Sequence, residues 1–539
     1  MKKSLLFLLL APCLSFGQII STQVNSLAFG NVNVGTKDSL QLSITNNSNQ
    51  AVNITNIKFY VIYGDYPFSA SQSTFSLAAG ASQNVWIYFE PEHNIMHNSE
   101  LIIQHNGSSG FTAVDLQGQG VFPMAYYSGT QNLEEQALKN ALKTITGQGY
   151  NQRSYNQARD FMYGSIDNNN GQVECVYTGR TATFNSRSGA NNNSFNCEHT
   201  FPQGFFNQNL PMRSDIHHLF ATDVNSNSQR GNLPFGVVTG STTWSQGGSK
   251  KGGGLFEPRN AQKGATARAM MYFVIRYQDY SSHFSTQETV LRNWHNTYLP
   301  TASEIQRNTD IQAVQNNRNP FVDYPQLEER ITNFVTNSTK TPQFSLDILQ
   351  TSVNFGNINA LAADTFNYIL VNKGNQPISF SNFSISSTQY LSFAAGSGVN
   401  QSLNPGEAIQ ISIVANTQGA AAQINETLDF NTSLTGLQSS FTIPITANAI
   451  ITSLADLSLN NQIEVYPNPF ENSITIANSS HFTNYQIQLV DAVGKIVFKN
   501  NLTVAQNDYE TLDLSSLNKG VYFLSLSNGK EVIVRRLVK

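Results

Sequence analysis

Charged side chains are scarce in this chain. Lys, Arg, Asp and Glu make up 12% of its 539 residues, about half the share of an average globular protein. Solubility must therefore come mostly from neutral polar groups, and the formal net charge of -4 gives no sign of a nucleic-acid partner. The shortage is uneven, however. Residues 123–330 hold 18 basic against 16 acidic side chains, which leaves this stretch at +2 and the remainder at -6. A slightly basic middle permits a polyanionic ligand and says no more. Beyond the first residues no run approaches the roughly 18 apolar residues needed to span a bilayer as a helix. An apolar fraction of 40% with 34 Phe and 21 Tyr excludes a disordered chain, and the length calls for several domains.

The start, "MKKSLLFLLLAPCLSFGQ", combines a basic head, a short apolar run and a small-residue ending, the pattern of a secretory signal at 1–17 cut after Gly17. Cys13 lies inside it. Of three cysteines, Cys175 and Cys197 then remain, and in an oxidising compartment they either form a disulfide or stay as two buried thiols.

Residues 19–120 read as short alternating strands. Leu40, Leu42 and Ile44 share one side of "LQLSIT", and Val85, Ile87 and Phe89 one side of "NVWIYF". The same plan returns at 342–447: "SLAFGNVNVG" at 26–35 matches "SVNFGNINAL" at 352–361, "ITNNSNQAVNI" at 44–54 matches "LVNKGNQPISF" at 370–380, and "FSLAAGASQNVWIYF" at 75–89 matches "QSLNPGEAIQISIVA" at 401–415. Three blocks in one order mark an internal repeat, and two β-sandwiches are expected to bracket the middle. The tail, 461–539, reads as a small third sandwich.

Between the repeats, 123–335 changes character to a mixed α+β domain. "LEEQALKNALKTI", "ATARAMMYFVIRYQ" and "ASEIQRNTDIQAVQNN" carry helical stripes, and "VECVYTG" and "SFNCEH" are strand-like. Candidate chemistry concentrates between residues 197 and 236, which supply Glu198, His199, Arg213, Asp215, His217, His218, Asp223, Asn225, Asn227 and Arg230. Hydrolysing a phosphodiester needs a base titrating near neutrality, a hard cation on oxygen donors, and cationic groups on the phosphate backbone. His199 can serve as the base, Glu198 with an Asn side chain as donors, and Arg213, Arg230 and Arg268 as phosphate contacts. The chain lacks the Cys-x-x-Cys set of a structural zinc site and the helical His-x-x-x-His of a catalytic one. Asn225 and Asn227 are both open as the amide donor. Adjacent strand positions face opposite ways, so Glu198 and His199 can serve one phosphate only at a strand end or from two sides of a cation.

The segment resembles the bacterial secreted endonuclease I family, nonspecific nucleases with a ββα-metal fold. The resemblance rests on Asn196-Cys197-Glu198-His199 with Pro202, on Asp215-Ile216-His217-His218-Leu219, on Asn227 and Arg230-Gly231-Asn232, and on "FEPRNAQKGATARAMMYFVIRY" and "QNNRNPFVDYP" downstream. It implies that His199 is the general base, that Glu198 and Asn227 hold one catalytic Mg2+ (other divalent cations could substitute), and that cleavage leaves 5′-phosphate ends. Its spacing to Arg230 selects Asn227 over Asn225. The chain departs from the family at Pro202-Gln203-Gly204, where relatives often carry Pro-x-Ser.

The repeats resemble the immunoglobulin-like modules grouped with the abnormal-spindle and hydin proteins. The tail, through "VYPNPF", "DAVGKIV", "LDLSSLNKGVYFLSL" and "RRLVK", resembles the C-terminal sorting domain of type IX secretion. The resulting expectation is a secreted, monomeric, metal-dependent endonuclease acting on DNA, with RNA a second candidate, and delivered to the medium or cell surface by the type IX secretion machinery. Two alternatives compete with it: a catalytically inactive nucleic-acid-binding or adhesion protein, and a metal phosphatase of small esters.

Overall fold

The structure, a computed structural model, describes residues 20–539 except 61–66, 108–109, 279–280, 435–437, 452–462, 479–482, 506 and 529–531. The secretory signal expected at 1–17 lies outside the described residues. A central mixed α/β domain is flanked by β-sandwiches, with a further β domain at the C-terminal end.

Alternation along the strands builds the first sandwich. Leu42, Ile44, Val85, Ile87 and Phe89 are fully buried because alternate positions of adjacent strands share one face; Leu42 pairs directly with Val85. One sheet orders its strands as Ile20–Thr22, Asp38–Asn46, Ser82–Phe89 and Phe68–Ala70. The other orders them as Ser26–Asn33, Phe111–Val121, Met96–His105, Val52–Phe59 and Phe75–Leu77. The second sandwich repeats this order strand for strand. Leu346–Ile348, Asp364–Asn372, Ala408–Ala415 and Leu391–Phe393 form one sheet; Val353–Asn359, Ser440–Ile450, Ala422–Thr432, Ile378–Ile385 and Gln401–Leu403 form the other. Even the irregularity in the parallel pair recurs, between Ala28 and Asn31 and again between Asn354 and Asn357.

One buried side chain explains why the matched turns persist. Asn46 Nδ2 donates to the carbonyls of Gln50 (2.7 Å) and Leu77 (3.1 Å), while its Oδ1 accepts from Ser48 N–H (3.0 Å). Asn372 makes the equivalent bonds to Gln376, Leu403 and Gly374 at 2.9, 3.0 and 2.9 Å. An amide that closes its own turn and also holds a neighbouring strand satisfies buried backbone groups that an apolar residue would strand.

The sandwiches pack on each other through Ile102, Ile369 and Val371, all fully buried, and Tyr60 Oη donates to Asp347 Oδ2 at 2.8 Å. The first sandwich also grips the central domain: Arg330 Nη1 donates to Asn94 Oδ1 (2.5 Å), and Met96 N–H to Asn132 Oδ1 (2.7 Å). In the central domain the expected helices occur at Glu135–Gly147, Asn260–Tyr277 and Ala302–Gln315. The strand expected over 173–179 is shorter, Gln172–Glu174. The chain then turns, and Val176 N–H donates to Ala221 O (3.0 Å). Among the described residues no helix is long and apolar enough to cross a membrane.

The cleft between the sandwiches holds an electrostatic conflict. Glu100, buried, pairs with Asp115 across the ladder and faces Glu407 of the second sandwich. Burial first, and the Asp115 charge second, push the Glu100 carboxyl well above the usual carboxylate range. A carboxyl whose folded pKa is raised costs stability as pH climbs past its unfolded value, about 4.3, and costs nothing below it. Glu100→Gln is therefore expected to raise the melting temperature of the sandwiches at pH 8 and to leave it nearly unchanged at pH 4.5. Calorimetry at the two pH values checks this; a lower melting temperature at pH 8 would contradict it.

Candidate active site

The strand Phe195–His199 pairs antiparallel with Leu219–Asp223, placing Glu198 opposite Phe220 and His199 opposite Leu219. The chain then enters the short helix Val224–Arg230 without a loop, because Asp223 caps it: Oδ1 accepts from Ser226 N–H (2.7 Å) and Oδ2 from Thr178 (2.8 Å). Gly231, at φ +51°, ends the helix in a conformation that costs glycine little. The helix crosses the end of the first strand. Arg230, 1% exposed, donates to the carbonyls of His199 (3.2 Å) and Thr200 (2.5 Å) and lies 3.3 Å from Glu198 Oε1. One turn earlier Asn227 Nδ2 reaches the Cys197 carbonyl at 3.4 Å. Residues three apart share a helix face, so Asn227 and Arg230 look onto the strand together, whereas Asn225 is exposed.

Glu198 and His199 meet different neighbours, as alternate strand positions must. Glu198 Oε1 accepts from Tyr177 Oη at 2.7 Å. Burial pushes its carboxyl up, against the pull of Arg230 and then Tyr177. Tyr155, Phe206 and His218 surround the His199 ring, with centroids 5.4, 6.5 and 5.6 Å away, and His199 Nε2 lies 3.1 Å from the Arg213 carbonyl. A carbonyl only accepts, so Nε2 carries the hydrogen and the neutral ring keeps its lone pair on Nδ1. Burial, and next the neighbouring His218, hold the His199 pKa well below that of an ordinary histidine.

The next two histidines are structural. His217 Nε2 and His218 Nε2 lie 3.1 and 2.6 Å from the carbonyls of Asn317 and Met212. Asp215 beside them is a fully buried hub: Oδ2 accepts from Tyr272 Oη, Arg276 Nη1 and Tyr277 Oη, each at 2.8 Å, and Oδ1 from Gln315 Nε2 at 3.0 Å. Burial pushes its carboxyl up, but Arg276, His217 and His218 overcome this and hold it below the usual range.

Of the two alternatives left open for the cysteines, the structure has the second. Cys175 and Cys197 are separate buried thiols. Cys175 Sγ faces Thr222 and Ser226 at 3.5 Å. Cys197 lies on the far side of Leu219–Asp223, paired with Ala221, the residue whose carbonyl takes the Val176 N–H. Two strand spacings, about 9–10 Å, exceed the reach of a disulfide. Arg268 is engaged within the domain: Nε and Nη2 bond Glu304 at 2.7 and 2.6 Å, and Nη1 donates to the Tyr298 carbonyl at 2.8 Å. Arg230 is likewise engaged by Glu198 and main-chain carbonyls. Arg213 stays beside the site, its guanidinium 4.6 Å from the Tyr155 ring centroid. Sequence reasoning missed Tyr177 and Tyr155, since a tyrosine 21 or 44 positions upstream carries no local mark of its partner.

The strand pair thus runs directly into a helix, with Glu198 and His199 on the strand and Asn227 on the helix. Residues 134–326 match the family described as Endonuclease I. The chain is 29% identical over 227 residues to the extracellular ribonuclease of Bacillus subtilis (strain 168), and 30% identical over 227 residues to that of Bacillus amyloliquefaciens. In each case the match covers 38% of this chain and 77% of the relative. The chain belongs to the endonuclease I family. Residues 18–119 match the HYDIN/CFA65/VesB-like, Ig-like domain, and 464–539 the secretion system C-terminal sorting domain. Among solved structures, the ASH / PapD-like domain of human CEP192 aligns at 17% identity over 23% of this chain and 99% of that one, with a TM-score of 0.18. The protein is a metal-dependent nuclease acting on nucleic acids, secreted or surface-borne through the type IX route.

The Asp215 hub makes a stability prediction. A depressed folded pKa contributes stability above the unfolded value, about 3.9, that is lost as pH falls through the folded one. Asp215→Ala strands Arg276 and two tyrosines and should cost about 3–5 kcal/mol at pH 7. The difference from the parent should narrow below pH 3.9. Denaturant unfolding at pH 7 and pH 3 tests both parts.

Proposed function

We propose that this protein is a secreted endonuclease of little sequence specificity, cutting DNA and RNA, with His199 as general base and with Glu198 and Asn227 as the ligands of a divalent cation, Mg2+. The observation that carries the reading is the His199 ring: buried next to Glu198 on one strand and hydrogen-bonded through Nε2 to the Arg213 carbonyl, which leaves Nδ1 as its acceptor. The RNA part rests on the two relatives, both named extracellular ribonucleases.

The donor chemistry fits a hard cation. Both Glu198 contacts given above fall on Oε1, and the Asn227 amide nitrogen is held by the Cys197 carbonyl, which leaves its Oδ1 as the oxygen donor. Among the described residues there is no group of three or more His, Cys, Asp or Glu side chains able to hold a metal, so the donors here are one carboxylate and one amide oxygen. A cation bound by them supplies positive charge against the negative charge that grows on the phosphate. Arg230 and Tyr177 hold the Glu198 carboxylate in place. His199 Nδ1 takes a proton from the attacking water as its oxygen bonds to phosphorus and the bond to the 3′ oxygen breaks. Burial disfavours the protonated form of His199, in keeping with a role as proton acceptor. The domains follow the same reading: a signal at 1–17, sandwiches at 19–120 and 342–447, the nuclease at 123–335, the sorting domain at 461–539, and a monomer.

Plasmid and RNA cleavage by purified protein tests the function. His199→Ala should lower the rate by roughly 10²–10⁴-fold, and equal cutting by both proteins would remove His199 as base. A chelator should abolish cleavage and added Mg2+ restore it. Glu198→Gln should shift the Mg2+ titration to higher concentration along with a loss of rate; an unchanged titration would remove Glu198 as ligand.

A further inference from the structure

Most arginines of the central domain are already neutralised. Arg230 lies against Glu198, Arg268 against Glu304, Arg276 against Asp215, Arg307 against Asp167 and Arg318 against Asp323. Arg153, Arg180 and Arg330 lack a carboxylate partner among the described residues, but main-chain carbonyls hold them. Arg159 and Arg213 have neither, and the Nε of each is buried without a hydrogen-bond partner. Both rest on one ring. The Arg159 guanidinium carbon is 4.3 Å and that of Arg213 4.6 Å from the Tyr155 centroid, and that ring lies 5.4 Å from His199.

Local structure builds this arrangement from distant pieces. Ser154 and Gln157 form a capping box that starts the helix Tyr155–Phe161, and Tyr155 and Arg159 stand one turn apart on it. Arg159 Nη2 donates to the neutral oxygen of Asn156 (2.7 Å), which orients the group without cancelling its charge. Arg213 belongs to the turn whose carbonyl takes the His199 Nε2 hydrogen (3.1 Å), so its guanidinium stays within one side-chain length of the proposed base. An aromatic face attracts cations but cannot neutralise them. A planar guanidinium held this way presents its remaining donors to a phosphate with little ordering cost.

We propose that Arg159 and Arg213, held on Tyr155, form a two-guanidinium clamp for the phosphodiester backbone of the substrate beside His199. The assignment deepens the nuclease reading above and rests on it for the location of the reacting phosphate. Arg159 is the new member.

The test measures binding rather than cleavage, so that it fails separately from the catalytic roles. Anisotropy of a labelled single-stranded 16-mer oligonucleotide with the full chain in chelator, from 50 to 200 mM salt, gives the slope of log affinity against log salt. Each lost phosphate contact should reduce that slope by about 0.7. Arg159→Gln and Arg213→Gln should each weaken binding and lose about 2- to 3-fold less affinity across this range than the parent does. Arg159→Lys, which keeps the charge, should retain the parent slope. Lys37→Gln, a charge removed from the first sandwich, should change nothing. Slopes that stay at the parent value in both glutamine variants, or a parent protein that does not bind the oligonucleotide, overturn the clamp, whether or not His199→Ala abolishes cleavage.

Discussion

The buried guanidinium of Arg230 is the contact on which the site depends. It satisfies the carbonyls where the strand Phe195–His199 ends, faces the Glu198 carboxylate, and lies 4.6 Å from the Phe235 ring centroid. A buried ion pair repays its desolvation only when hydrogen bonds are also made; here Nη1 and Nη2 bond main-chain carbonyls beside the carboxylate, while Nε is buried without a partner. Because Arg230 locks the helix against the strand, Asn227 is delivered one turn away to the Cys197 carbonyl. The strand's two faces stop competing at that point: Glu198 turns to the helix and Tyr177, His199 to the pocket of Tyr155, Phe206 and His218.

Three histidines close in sequence do different work by one device. Each offers Nε2 to a main-chain carbonyl, of Arg213, Asn317 or Met212. His217 and His218 are thereby tied into the surroundings of Asp215, and His199 is left beside Tyr155, on which Arg159 and Arg213 rest. The low total charge of the chain has a counterpart here. With Arg230, Arg268, Arg276, Arg307 and Arg318 each paired, the field around the site is set by the few cations that are not. A nonspecific nuclease needs such positions more than it needs a uniformly basic surface, because phosphate contacts orient the substrate without reading its bases.

The flanking sandwiches show how much of a fold periodicity can reveal. Val85, Ile87 and Phe89 mark a buried face because a pleated strand alternates sides, and the repeated "SLAFG" and "SVNFG" blocks appear as two sheets of identical strand order. The Asn46 and Asn372 turns lay inside those matched blocks, yet their bonds to Leu77 and Leu403 were not legible, since each joins residues 31 positions apart. The state of the cysteines and the partner of Arg268 were not legible for a related reason. Residue type shows what a side chain can do. Which partner reaches it first depends on neighbours that pattern does not specify, here the Leu219–Asp223 strand between the thiols and Glu304 against the arginine.

From sequence alone came the domain classes, the secretory tail, the Glu198-His199 pair and, through family spacing, Asn227. These are local patterns, carried by alternation, turn residues and short motifs. Tertiary structure alone decided that His199 commits Nε2 to the Arg213 carbonyl, that Tyr177 and Arg230 hold Glu198, that Asp215 is a hub, and that Arg159 stands by Tyr155 and Arg213. Each of these turns on desolvation and on contacts between distant segments, and both quantities come into existence only when the chain has folded.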